Sequence, residues 1–260
     1  MKKLQTTHLV NPSPWPIAGA SSAMIMTSST IMMLYKKNMT ILMMGMIISL
    51  ITFFSWSKDI YTESSMEGNH SKKTASTLKI GMILFIVSEI FLFVSMFWAF
   101  FHSSMSPSVE IGMNWPPQKI MPFNYNEIPM LNTIILVSSG ATLTMSHHEL
   151  MKKNTKSASM YLMMTINLGL MFTMIQLIEY MEAKFSINDS VFGSSFFMAT
   201  GLHGAHVIIG SSFLSVVMNQ VKNMKSMPHQ FLSFEMAAWY WHFVDVVWLF
   251  LLMSIYWWGG

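Results

Sequence analysis

Seven separate stretches of mostly apolar residues set the terms for this chain, because each runs the roughly 20 residues that a helix needs to cross the hydrocarbon of a bilayer. They fall at 15–35, 39–56, 78–101, 128–147, 158–180, 191–218 and 234–258. The connections at 36–38, 57–77, 106–127, 152–157, 182–190 and 221–233 are polar and hold the helix breakers. None is long enough for a second domain, and no repeat is strong enough to indicate an inverted duplication. The expectation is an all-α, polytopic membrane protein forming a single transmembrane domain over residues 1–260.

Composition agrees. Only 10% of the 260 residues are charged, against about a quarter in soluble domains. Nine Trp and nineteen Phe suit interface belts and helix packing. The absence of Cys removes disulfides, thiolate metal sites and thiol nucleophiles. Met occurs 30 times, and all 15 basic residues are Lys. Met fills irregular apolar gaps much as Leu and Ile do, and its excess with no Arg is the mark of an AT-rich animal mitochondrial genome rather than of a Met-based copper site. The N-terminus is basic, but its apolar run begins only at Trp15 and continues as a span, so no cleavable signal is expected. A net charge of +3 is too small to point to nucleic acid.

Lysine placement predicts the orientation, since positive loops stay on the side of insertion. Lys2, Lys3, Lys58, Lys72, Lys73, Lys79, Lys152, Lys153, Lys156, Lys222 and Lys225 fall on one side, and Lys36, Lys37, Lys119 and Lys184 on the other. The N-terminus is therefore expected inside and the C-terminus outside.

Ionisable groups within the spans cost on the order of 2.5–3.5 kcal/mol each, so they face other helices or water. Glu89 stands deep in the third stretch among apolar neighbours, either as a proton-handling acid or as a structural acid hydrogen-bonded between helices. His203 and His206 share one helix face. Two imidazoles make only half a zinc shell, and the Gly201/Ala205 pair favours a tight crossing with the histidines bonded between helices. Glu235, Trp239, His242 and Asp245 form a stripe on the seventh helix. That stripe is expected to meet the His203 and His206 face, with His242 also pairing with Asp245. His147 and His148 read as interfacial anchors. No phosphate cradle, Gly-x-Ser-x-Gly elbow or His-Glu-x-x-His pair is present, so no catalytic residue and no metal ligand set is assigned.

Three longer runs go further. Residues 97–104 (FWAFFHSS), 196–210 (FFMATGLHGAHVIIG) and 238–250 (AWYWHFVDVVWLF), with 11–16 (NPSPWP) and 255–259 (IYWWG) near the two ends, closely resemble the cytochrome c oxidase subunit III family of haem-copper oxidases. The resemblance implies a mitochondrially encoded, multi-pass core subunit of the inner membrane, with its N-terminus on the matrix side and its C-terminus in the intermembrane space. It implies seven helices in a two-helix plus five-helix arrangement around a lipid-filled cleft. Haem a, haem a3 and the copper centres then belong to partner subunits I and II, with subunit I the main contact and nuclear-encoded subunits further neighbours. This chain would sustain proton uptake and protect the catalytic subunit from turnover inactivation. Glu89 corresponds to the family's buried acid and His206 to its hydrogen-bond partner, within a polar network of Glu89, His203, His206, Glu235, His242 and Asp245. Structural phospholipid would be held through Trp56, Glu63, His70, Lys79 and Trp98. Lys79, Thr62 and Gln220 stand where the family commonly has Arg, and Ser57 replaces a Trp, so looser head-group contacts are expected. Two other readings stay open: a lipid-holding scaffold without a proton role, and an independent seven-helix transporter using Glu89, His206 and Asp245.

Overall fold

The structure, a computed structural model, describes residues 12–37, 39–65, 71–118, 120–223 and 232–260. Lys2, Lys3, His70, Lys119 and Lys225 lie outside them. No strand occurs among the described residues, and seven helices are long and apolar enough to cross a membrane. They are α1 Trp15–Lys36, α2 Thr40–Ser65, α3 Lys72–Met105, α4 Ile128–Met151, α5 Thr155–Glu182, α6 Val191–Asn223 and α7 Leu232–Leu251. A short 3-10 helix, Val109–Ile111, lies between α3 and α4, and a π-helical segment, Leu252–Trp258, completes the last span.

Local chemistry marks several ends. Pro occupies the first turn of α1 and of α4, where its missing N–H costs nothing. The backbone turns left-handed at Lys37 to stop α1, and the Asn154 side chain accepts the Ser157 N–H at the start of α5. The first six helices all run past the apolar stretches that foretold them, α2 and α3 farthest. α2 continues past residue 56 to Ser65, and α3 starts at Lys72 and ends at Met105, so much of the supposed 57–77 connection is helical. Hydropathy marks where lipid ends; nothing between Ser57 and Ser65 breaks a helix.

The chain divides at Leu78/Lys79 into two compact units. In the first, α1 packs on α2 through small residues. A Cβ on Gly45 would meet Ile25 Cγ2 at 3.2 Å and Met26 Sδ at 3.3 Å, so the helices approach closely there. Trp15 Nε1 donates to Asp59 Oδ2 at 2.6 Å, tying the start of α1 to the far part of α2.

In the second unit α4, α5, α6 and α7 pack in sequence, and α7 returns to α4. Trp241 and Trp248, both fully buried, fill the centre. Gly169 of α5 and Gly210 of α6 make room for Trp241, since a Cβ would fall 2.5 Å and 2.9 Å from its ring. Trp241 donates to Ser139 Oγ at 2.9 Å and Trp248 to Thr133 Oγ1 at 3.0 Å, so both indoles satisfy their N–H while burying their rings. From residue 79 onward α3 lies along α7 through the ring pairs Phe85–Tyr240, Phe93–Phe243 and Phe97–Phe250.

Candidate functional site

Glu89 of α3 and His206 of α6 meet inside the second unit, with Oε2 2.9 Å from Nε2. The side chains are 22% and 8% exposed, so water has little access. His206 Nδ1 lies 2.8 Å from the Leu202 carbonyl, which can only accept, so Nδ1 holds a proton and donates it. That leaves one proton to be placed between Nε2 and Oε2. The pair is either a carboxylic acid donating to a neutral ring or an imidazolium donating to a carboxylate, and each has zero net charge. The rings of Phe93, Tyr240 and Phe243 stand within 5.1–6.3 Å of the imidazole and wall off its other sides.

His203, one turn earlier on α6, does different work. It is fully buried, and its Nε2 lies 3.2 Å from the Val244 carbonyl, to which it donates. Its ring sits 5.4 Å from Phe172 and 5.1 Å from Trp248. Nδ1 has no hydrogen-bond partner. His203 is thus a bolt between α6 and α7.

The stripe on α7 does not meet these histidines, contrary to the expectation from its spacing. Glu235 forms an ion pair with Lys79 of α3, whose ammonium lies 6.0 Å from the Trp239 ring centroid. His242 Nδ1 lies 3.7 Å from Asp245 Oδ2, and this pair rests on α4, where a Cβ on Gly140 would be 2.7 Å from Oδ2. The α6 histidines instead face Tyr240, Phe243, Val244 and Trp248, on the opposite side of α7 at 100° per residue. The physical reason is bulk: Trp241 and Trp248, fully buried, fill the side of α7 toward Gly169 and Phe172 of α5 and Gly210 of α6, which leaves the polar stripe to α3 and α4. The six polar-network residues therefore form four separate groupings.

The residues assigned to phospholipid fall in both units, with His70 outside the described residues. Trp56, packed over Gly19, and the half-buried Glu63 belong to the first unit. Lys79 and Trp98 belong to the second, and their separation along α3 is about 28 Å at 1.5 Å per residue.

One buried network has no counterpart in the sequence reading. Glu179 of α5 is fully buried, and Tyr256 donates to its Oε1 at 2.6 Å. Gln176 Nε2 donates to the Tyr256 hydroxyl at 3.4 Å, and Asn132 Nδ2 donates to Gln176 Oε1 at 3.2 Å. Glu179 Oε2 and Asn132 Oδ1 keep no partner. Beside this chain Tyr180 donates to Thr200 Oγ1 at 2.7 Å. The available signal was the spacing of Gln176 and Glu179, three apart on one face of an otherwise Met- and Leu-rich helix.

Among the described residues no three His, Cys, Asp or Glu side chains gather closely enough to hold a metal ion. The fold and its interior thus define a multi-pass helical membrane protein. The sequence profile of cytochrome c oxidase subunit III matches residues 5–260. The chain is 51% identical to cytochrome c oxidase subunit 3 of Pelomedusa subrufa over 99% of both chains, and 53% identical to that of Halichoerus grypus over 97% of both. The corresponding protein of Damaliscus lunatus is 52% identical, again over 97% of each. The chain belongs to the cytochrome c oxidase subunit III family and is thereby a subunit of an oxidoreductase complex, complex IV of the respiratory chain.

Proposed function

We propose that this subunit serves the oxidase without a redox centre of its own, sustaining proton uptake and slowing turnover inactivation of the catalytic subunit. The Glu89–His206 pair supports this most directly. A proton shared between two groups of zero net charge can shift from carboxyl to imidazole without moving net charge into the hydrocarbon, and both forms keep the same hydrogen bond. In this reading haem a, haem a3 and copper reside in subunits I and II, subunit I is the main contact, and nuclear-encoded subunits complete the surroundings. The complex sits in the mitochondrial inner membrane with the N-terminus of this chain on the matrix side, as the lysine distribution favours. His203 positions α6 against α7, and Glu235, His242 and Asp245 act as helix-joining groups rather than as proton carriers. Phospholipids bind at Trp56, Glu63, His70, Lys79 and Trp98. The ion pair of Lys79 with Glu235 leaves that ammonium as a secondary phosphate ligand.

Glu89→Gln in the assembled oxidase tests the proton role. Slower proton uptake and faster inactivation during turnover, with bound lipid unchanged, are the expected results. Unchanged uptake removes the proton role and leaves a lipid-holding scaffold. Comigration of the chain with haem a absorbance after gentle solubilisation checks the assembly itself.

A further inference from the structure

Glu179 of α5 and Tyr256 of the π-helical close form a second buried titratable pair. The carboxyl is fully buried, and its Oε1 accepts the Tyr256 hydroxyl at 2.6 Å. Bonds between neutral hydroxyl and oxygen centre at about 2.7–2.8 Å, whereas a hydroxyl facing an anionic oxygen closes to about 2.5–2.7 Å. The short contact thus marks Glu179 as a carboxylate. Among the described residues no cation pairs with it, since the ion pairs engage Glu235, Glu149, Glu89 and Asp245, and its Oε2 has no hydrogen-bond partner. The amides of Gln176 and Asn132, which continue the chain from Tyr256, have no acid proton to give it. A negative charge without a counter-ion is enclosed against a single phenol.

Events at this pair differ in what they do to that charge. A water molecule at Oε2 adds a hydrogen bond and leaves the charge in place. Transfer of the Tyr256 proton alone makes a phenolate and only hands the charge to a neighbour. Transfer of the proton together with loss of one electron from the ring leaves a neutral carboxylic acid beside a neutral phenoxyl radical, so no charge remains in the apolar interior. The enclosed carboxylate therefore favours one-electron oxidation of Tyr256. The electron also has a way out: the Trp248 ring, itself fully buried, lies 5.9 Å from the Tyr256 ring, and indole is readily oxidised. Phe196, 5.3 Å from Tyr256, is a ring that resists oxidation and walls the site.

We propose that Tyr256, with Glu179 as its proton acceptor and Trp248 as the ring through which its electron leaves, is a redox-active site that takes up a stray oxidising equivalent formed as the complex reduces oxygen. The Tyr256 O–H bond breaks, its proton forms a new O–H bond at Glu179 Oε1, and its electron passes through Trp248 to reduce the oxidant by one electron. The new carboxylic acid donates back to the phenoxyl oxygen, so the contact between the two oxygens is kept. An electron from the donor that feeds the oxidase restores the phenol as Glu179 returns the proton. This inference rests on the reading that the chain slows turnover inactivation, and it names the group that absorbs an oxidising equivalent before the catalytic subunit is damaged.

Hydrogen peroxide added to the intact, oxidised complex supplies the oxidant, and electron paramagnetic resonance of freeze-quenched samples carrying ring-deuterated tyrosine reads the product. Comigration with haem a shows first that each variant complex is assembled. A component of the tyrosyl signal that is lost both in Tyr256→Phe and in Glu179→Gln is the expected result. Glu179→Gln keeps an oxygen to accept the hydroxyl but cannot take its proton, so it separates proton acceptance from packing. A tyrosyl signal unchanged by Tyr256→Phe overturns the proposal, and so does one as large in Glu179→Gln as in the unaltered complex. Both variants should also complete fewer turnovers before inactivation while proton uptake stays as it was, and an unchanged number of turnovers overturns the protective role. Failure of the proton role shows separately, as unchanged uptake in Glu89→Gln, so the two failures are distinguishable.

Discussion

The α1–α2 unit and the α4–α7 bundle use the same residue types in the same solvent and reach opposite kinds of packing. In α1 and α2 only 11% and 6% of the most apolar window is buried, against 33–44% in α4 to α7. Hydroxyls in α1 turn back on their own helix: Thr27, Ser28 and Thr30 donate to carbonyls three or four residues earlier. In the bundle several reach across. Ser139 and Thr133 accept from tryptophans, Thr142 pairs with Thr165 at 2.8 Å, and Ser146 donates to the Ala158 carbonyl at 3.0 Å. Self-bonding hides a hydroxyl from lipid but ties a helix to nothing. Cross-bonding specifies a neighbour and a register. The first unit is a close contact of small residues, and the second is a keyed core.

Substitutions can break that contrast or sharpen it. The largest effect is expected for Gly169→Val, which drives a branched side chain into Trp241, a ring held by its bond to Ser139. The cost should reach about 3 kcal/mol, the upper part of the range for overpacking, read as an earlier loss of helicity when the solubilised protein is titrated with sodium dodecyl sulfate. Tyr256→Phe comes next at about 1–2 kcal/mol in the same titration, because it leaves Glu179 Oε1 buried without a donor. Gly45→Ala in the first unit should cost less than about 1 kcal/mol, since the atoms in its way belong to flexible ends of Ile25 and Met26. A Gly45→Ala variant as damaged as Gly169→Val would show that the first unit is keyed as tightly as the second.

Much of this architecture was legible in advance, and what was not has physical causes. The spans follow from apolar length alone, because lipid imposes a single requirement on every stretch that crosses it. Helix ends were less visible: Lys58, Asp59, Thr62 and Glu63 continue α2 in a polar environment that hydropathy reads as loop. Glu89 and His206 drew attention because each interrupts an apolar run. Glu179 did not, because it stands one turn from Glu182 and the polar segment beyond, where a carboxyl is unremarkable until Tyr256 is seen folded over it. The α7 stripe misled for a related reason. Spacing places Glu235, His242 and Asp245 on one side of a helix, but which neighbour that side meets depends on where the bulkier rings settle, and that is a property of four helices together.

The π-helical close of the last span makes the end of the chain a measuring device. Its wider winding over Leu252–Trp258 sends the Tyr256 hydroxyl inward to Glu179 while Trp258 lies against Phe100 and Phe101, and Gly259 passes where Phe100 leaves no space for a side chain. Three fittings within four residues must engage at once. One residue inserted or removed upstream of Tyr256 would swing each of them by about 100°, so this terminus tolerates exchanges of side chain far better than any change in its count.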